Sequence, residues 1–244
     1  NRLLFWSGLT GGLVLGFSLI ARASVMAKAP GHSELAGNLL YPIGFIILIL
    51  GRYQLFTENT LTPVTLVLTR LASLRNLLRL WTVVFLANMV GTVLFALFLG
   101  PFQVMSPEAT ELAIGFGVHL VSATWLSAFA KAILAGALMA TIVWLVHAAR
   151  AMIARIVIIW LLIYLQVTGE LFHSVVGALE VQYAMFQGAV TLGSYLWDFQ
   201  IPVTLGNIVG GVVFVAILNY IQLPDADETK TQLTMREWFL GRRE

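Results

Sequence analysis

Apolar residues along this 244-residue chain fall into long runs, of which 80–98 and 204–223 are the plainest. A helix needs about 20 such residues to cross about 30 Å of hydrocarbon. Six segments of this kind are read, at 3–27, 37–69, 80–100, 120–148, 152–186 and 203–223. They predict an all-α membrane protein with six transmembrane helices. Segments two and five are longer than one crossing requires, and both turn polar midway. Segment two runs through Arg52, Thr57, Glu58, Asn59, Thr60, Thr62 and Pro63, and segment five through Gln166, Thr168, Gly169, Glu170, His173 and Ser174. Polar groups at membrane depth persist only where protein or water satisfies them, and Pro63 lacks the N–H that a helix interior uses. Helices two and five are therefore expected to be broken.

The two halves of the chain echo each other. Asn88-Met-Val-Gly91 returns as Asn207-Ile-Val-Gly210, Gln54-Leu-Phe-Thr57 as Glu170-Leu-Phe-His173, and Gly12-Leu-Val-Leu-Gly16 as Gly136-Ala-Leu-Met-Ala140. The displacements are 119, 116 and 124 positions. Three spans per half give the halves opposite orientation. The expected architecture is an inverted repeat of three plus three helices, with halves at about 1–110 and 111–223. In folds built this way the solute site lies at the repeat interface, between discontinuous helices. The remainder, 224–244, reads as a polar cytoplasmic tail whose Trp238 and Phe239 can touch the membrane surface.

Loop charge orients the spans. Arg70, Arg75 and Arg79 follow segment two, Arg150 and Arg155 follow four, and Lys230, Arg236, Arg242 and Arg243 follow six. The stretches 101–119 and 187–202 hold no Lys or Arg, and Lys28 is the one exception to the alternation. Basic loops stay in the cytoplasm, so both termini are expected there, in a multi-pass protein of the cell's inner (plasma) membrane. No cleavable signal peptide is read, because the first apolar stretch is long and leads into more membrane sequence. The chain opens almost inside a helix, which predicts a natural N-terminal extension.

Composition narrows the chemistry. Residues are 59% hydrophobic and 11% charged, against about 25% charged in soluble domains. A net charge of +2 without a basic stripe excludes nucleic acid as a partner. The absence of cysteine excludes disulfides and thiolate chemistry. There is no Gly-Lys-Ser/Thr phosphate loop, hence no ATP-driven pump. His32, His119, His147 and His173 lack metal-ligand spacing, and no Ser–His–Asp triad can be built on Ser174. The chain is expected to be no enzyme and to carry no cofactor or metal.

Several residues stand out against this apolar ground. His173 is the one histidine in the middle of a span, and a pKa near ~6.5 lets imidazole hold or release a proton at neutral pH. It reads as a donor to a passing solute or as a hydrogen-bonded prop for the helix break. Thr57 reads as a guide for His173 or as a cap on the next half-helix. A charge such as Lys131 in an apolar helix costs at least ~2.5–3.5 kcal/mol and so faces a cavity or a partner. Lys131 reads as a lure for anions or as an ion pair with Glu170. Arg52 and Glu170 read as a pair bracing the two breaks. Asn88 and Asn207 read as holding the backbone of the broken loops. Gly8, Gly12 and Gly16 read as close helix packing.

Together, Leu55-Phe56-Thr57-x-Asn59, Phe172-His173-Ser174-Val175 and Pro202-Val-Thr-x-Gly206-Asn-Ile-Val-Gly-Gly211 resemble the formate/nitrite transporter family over nearly the whole chain. The resemblance implies an aquaporin-like homopentamer with one pore per subunit, passing small monovalent anions such as formate, nitrite or hydrosulfide. It implies that Thr57 faces His173 at the pore centre, and that Lys131 is the basic residue many members carry in helix four. It puts Leu55, Phe45 and Gln166 at a cytoplasmic constriction, and Tyr41, Phe56 and Met139 near an outer one. Asn59, Asn88, Asn207, Ser174, Arg52 and Glu170 are left to support the breaks. The chain departs from the family pattern at Gln166, usually apolar, and at Gly136 and Gly177, where asparagine is common. These departures suggest a divergent branch and bear on the solute more than on the fold.

Passage of an anion through apolar rings is costly, since burying a bare ion reaches tens of kcal/mol. Protonating a carboxylate of pKa roughly 3.5 at pH 7 costs only about 5 kcal/mol. Transient protonation by His173 is thus one expected route, beside passage as a partly hydrated ion. Two rival readings remain at this level. One is a pore for neutral solutes, although the paired Asn-Pro-Ala signature of aquaporins is absent. The other is a membrane scaffold without transport, which has no use for polar groups at two matched breaks.

Overall fold

The computed structural model describes residues 2–217, 221 and 233–241. The end of segment six and most of the expected tail, including Lys230, Arg242 and Arg243, lie outside the described residues. Those described form helices and no strand. They comprise α1 (Arg2–Lys28) and α2 (Glu34–Leu50), α3 (Thr62–Leu68), α4 (Leu74–Leu99), α5 (Pro107–Ser122), α6 (Trp125–Ala148), α7 (Met152–Thr168), α8 (Val176–Phe186), α9 (Ile201–Val209) and α10 (Met235–Leu240). Among these, α1, α4 and α6 are long and apolar enough to cross a membrane, while α2 and α7 are shorter apolar helices. Leu86, Val90, Leu94 and Leu97 of α4 point outward, the apolar exterior that lipid or a neighbouring subunit would cover.

Small residues set the two closest crossings. In α1, a Cβ on Gly12 would strike the carbonyl oxygen of Asn88 in α4, and one on Gly8 would lie 2.9 Å from Ala87 Cβ. The same contact recurs between α6 and α9, where Gly136 faces the carbonyl of Asn207. Around these crossings, Leu15, Phe45, Leu48, Leu55, Met139, Ile142, Ile159 and Ile163 form a core without solvent exposure.

Both expected breaks occur, but Pro63 does not make either. It sits in the first turn of α3, where a missing N–H removes nothing. The breaks are helix C-termini closed by residues in the left-handed region, Arg52 (φ 57°) and Glu170 (φ 52°). Tyr53 N–H donates to Leu48 O at 3.0 Å and Arg52 N–H to Ile49 O at 3.1 Å. Leu171 N–H to Gln166 O (2.9 Å) and Glu170 N–H to Val167 O (3.2 Å) repeat the pattern. These paired bonds are the Schellman closure that ends a helix and turns the chain.

The stretch 101–119, expected as a loop, contains most of α5. Ser106 caps it by accepting from Ala109 N–H at 3.3 Å, and Pro107 occupies its first turn. Ala109, Ala113, Gly117 and Leu120 then bury one face, at helical spacing, and α5 packs on α8 and α1. The described part of the tail also folds back. Leu233 N–H donates to Arg70 O (2.9 Å) and Trp238 Nε1 to Val67 O (2.7 Å), while Phe239 stays exposed.

Candidate functional site

The two breaks meet at His173 and Thr57, both buried, with Nε2 and Oγ1 2.8 Å apart. His173 Nδ1 accepts from the backbone N–H groups of Val175 (3.2 Å) and Val176 (3.3 Å), at the start of α8. A neutral imidazole has one acceptor and one donor nitrogen. With Nδ1 accepting, the proton sits on Nε2, and Nε2–H donates to Thr57. The edge of Phe45 closes on the imidazole at a centroid distance of 5.4 Å.

Two asparagines hold the loops on either side. Asn88 Oδ1 accepts from Phe56 N–H (2.9 Å), and its Nδ2 donates to Gly8 O (2.7 Å) and Gln54 O (2.9 Å). Asn207 Oδ1 accepts from Ser174 N–H (2.8 Å), and its Nδ2 donates to Ala132 O (2.8 Å) and Phe172 O (2.9 Å). These bonds match Gln54 with Phe172, and the closures match Arg52 with Glu170, each 118 positions apart. The displacement of 116 read from Gln54 and Glu170 is thus two short, and Leu55, not Thr57, is the counterpart of His173. Asn59 adds a prop by donating to Leu55 O (2.9 Å) and Gln54 Oε1 (3.0 Å).

A cavity of about 470 Å³ leads down to His173. Exposed His32, Glu34, Glu108 and Glu111 ring its mouth, and buried Tyr41, Gln166, Glu180 and His173 line its depth. Tyr41 and Gln166, assigned in the sequence to opposite constrictions, therefore share one chamber. Leu55, Phe45, Phe56 and Met139 belong to the central core beside it and do not line it.

Glu170 pairs differently from the expected brace with Arg52. It takes Lys131 Nζ at 2.8 Å and faces His119 Nε2 at 3.6 Å. The αL turn at Glu170 points the carboxylate toward α6, where Lys131 also lies 4.9 Å from the centre of the Phe172 ring. The charge of Lys131 is thus largely answered by a neighbour.

Two groups escaped the sequence reading. Arg22 of α1 and Glu180 of α8 both line the cavity and lie 3.8 Å apart. Both are charges inside apolar segments, the signal that singled out Lys131. The second group is a buried relay. Gln182 Nε2 donates to Tyr195 Oη (2.8 Å), which donates to Gln200 Oε1 (2.9 Å). Gln200 Nε2 in turn donates to Ser174 O (3.3 Å). Tyr195–Gln200 is a π-helical stretch, a local irregularity with no readable hydrophobic period.

Known proteins resemble this one throughout. The family described as formate/nitrite transporter matches residues 1–221. Inner membrane protein YfdC of Escherichia coli (strain K12) is 36% identical over 96% of this chain and 76% of its own length. A probable formate transporter of Methanothermobacter thermautotrophicus is 30% identical over 89% of this chain and 87% of its own. A pentameric formate channel with formate bound shares the fold at a TM-score of 0.75, with 22% identity over 91% of this chain and 96% of its own. An ion channel of the same family superposes at a TM-score of 0.82, with 20% identity over 92% of each chain. The chain belongs to the formate/nitrite transporter family.

Proposed function

We propose that this protein is a membrane pore for small monovalent anions of the formate, nitrite and hydrosulfide kind. The observation that carries the reading is the Nε2–Oγ1 contact of 2.8 Å between His173 and Thr57, where two broken helices meet at the floor of a cavity. Relatives named as formate transporters and channels agree with it. In this reading α1, α2 with α3, α4, α6, α7 with α8, and α9 with its continuation make six spans. The matched asparagine bonds support an inverted repeat, with α5 additional to the six. Residues 1–223 then form the channel and 224–244 a cytoplasmic tail, with both termini inside and five subunits per assembly.

His173 acts here as a neutral N–H donor. Its Nδ1 already accepts two backbone N–H groups, so protonation there would set an N–H against two others at a helix N-terminus, which disfavours cations. An arriving solute replaces Thr57 as the acceptor of Nε2–H. Leu55 and Phe45 on one side, and Phe56 and Met139 nearby, keep the passage narrow and dry, while Tyr41 and Gln166 offer polar contacts above. Lys131 contributes field only to the extent that Glu170 leaves it free.

Uptake of formate or nitrite into liposomes tests the reading. The protein should admit either solute faster than empty vesicles. A hydrogen bond is worth about 0.5–1.5 kcal/mol net, so His173→Ala should slow passage about twofold to tenfold. Intact protein that passes no small anion would defeat the proposal. A neutral-solute pore has one observation in its favour: among the described residues, five glutamates and a single arginine line the cavity. Osmotic swelling with water or glycerol, without anion flux, would establish that reading instead.

A further inference from the structure

Arg22 and Glu180 are an unusual pair. Glu180 is 3% exposed, yet its Oε1 has no hydrogen-bond donor, and the Nε of Arg22 has no acceptor. Their separation of 3.8 Å exceeds a hydrogen bond. The guanidinium instead lies flat against aromatic rings, 3.9 Å from the centre of Phe116 and 5.7 Å from that of Tyr41. A buried ion pair is favourable only when geometry is good and the remaining lone pairs and protons are satisfied. This pair meets neither condition, and it borders the cavity that ends at His173.

We propose that Arg22 and Glu180 form a solute station above His173, at which a small weak-acid anion is captured by Arg22 and receives a proton from Glu180. The proposal rests on the small-anion reading and supplies the proton that neutral His173 is poorly placed to lend. Glu180 waits as the neutral carboxyl, leaving Arg22 short of a counterion. The anion takes that place beside the guanidinium. The O–H bond of Glu180 then breaks as an O–H bond forms on the solute oxygen. The solute leaves toward His173 as a neutral acid, and the Glu180 carboxylate becomes the partner of Arg22. A hydronium ion from the outer solution restores the carboxyl through the cavity mouth. Each cycle thus carries one proton with one anion.

Other titratable groups around Glu180 are accounted for. Tyr41 of α2 directs its hydroxyl at the Glu180 carboxyl, and α5 brings Glu111 and His119 to the same cavity. Tyr195, in the π-helical stretch packed on α8, is engaged with Gln182 and Gln200. The ionisable residues of α4 are Arg75 and Arg79, in its first two turns.

Liposomes loaded with a pH-sensitive dye, given an inward formate gradient, test the station. Wild-type protein should acidify the lumen in step with formate uptake, above the background of empty vesicles. Glu180→Gln keeps the shape but has no proton to give. It should lose coupled acidification, and its uptake should fall at least about tenfold at pH 7, where the borrowed proton matters most. Glu180→Asp should restore coupling in part. Glu180→Gln with wild-type uptake and coupling would overturn the proposal. Should the variants fail to fold, infrared difference spectra of wild-type protein decide. Added formate should remove a protonated-carboxyl band and raise a carboxylate band, and an unchanged carboxyl would refute the station. Wild-type protein that passes no anion would reject the underlying function instead.

Discussion

Asn88 and Asn207 each tie three main-chain groups with one amide. A broken helix leaves N–H and C=O groups that water cannot reach in a membrane, and each left bare costs about 1–3 kcal/mol. Asn88→Ala and Asn207→Ala should therefore each destabilise by roughly 3 kcal/mol or more, and by similar amounts, since the bond sets match. Unfolding in detergent, followed by circular dichroism, measures this, and a loss under about 1 kcal/mol would contradict the clamp. Both asparagines stand out in the sequence because a lone carboxamide in an apolar span has few uses beyond tying backbone or lining a path. Arg22 and Glu180 carried the same signal, yet their convergence depends on α1 and α8 lying side by side, which no spacing along the chain reveals. Of the two partners read for Glu170, Lys131 is the one it takes; the brace with Arg52 does not form, because an αL residue swings its side chain away from the axis that a helical extrapolation assumes.

Elements were readable where periodicity was long, and less so where caps decided. The runs that became α1, α4 and α6 were plain. The interruption of segment two is read from Pro63 and its polar neighbours and that of segment five from polar residues alone, because proline is a familiar signal while a Schellman closure with arginine at its αL position leaves no sequence mark. A non-glycine residue there costs about 1–2 kcal/mol. Arg52→Gly should therefore hold or raise stability by about 1 kcal/mol. Glu170→Gly removes the same strain but also the 2.8 Å contact with Lys131, leaving a partly buried ammonium unpaired, and should be the less stable of the two. Comparative melting of the two variants tests this. Helix α5 was missed because Ala109, Ala113 and Gly117 are small and weakly apolar, so its buried face looked like a loop. A Cβ added to Gly115 on that helix would meet nothing within 4 Å, and Gly115→Ala should stabilise by up to about 1 kcal/mol. Gly12→Ala would press on the Asn88 carbonyl and should do the reverse.

At the scale of the whole molecule, charge is distributed against the expected cargo. Glu34, Glu108 and Glu111 sit exposed at the mouth, and among the described residues Arg22 is the one arginine on the cavity wall. Glu108 stays ionised well into mild acid, because its own backbone N–H and the Ser106 hydroxyl hold its carboxyl below the usual range. Such a mouth repels anions and concentrates protons, the combination a station that pairs an anion with a borrowed proton would need. The cost is slower arrival of the anion. Fields of this kind change arrival rates by about tenfold or more at low ionic strength and fade once the Debye length shrinks to about 3 Å at 1 M salt. The variant with Glu34→Gln, Glu108→Gln and Glu111→Gln together should therefore take up formate faster than wild type in dilute buffer, and at nearly the wild-type rate in concentrated salt. Its proton coupling should persist, since Glu180 is untouched. Uptake rates measured across salt concentration, with lumenal pH followed in parallel, separate the two effects. An unchanged rate in dilute buffer would mean that arriving anions do not pass this ring of carboxylates, and the cavity would then lie off the solute path.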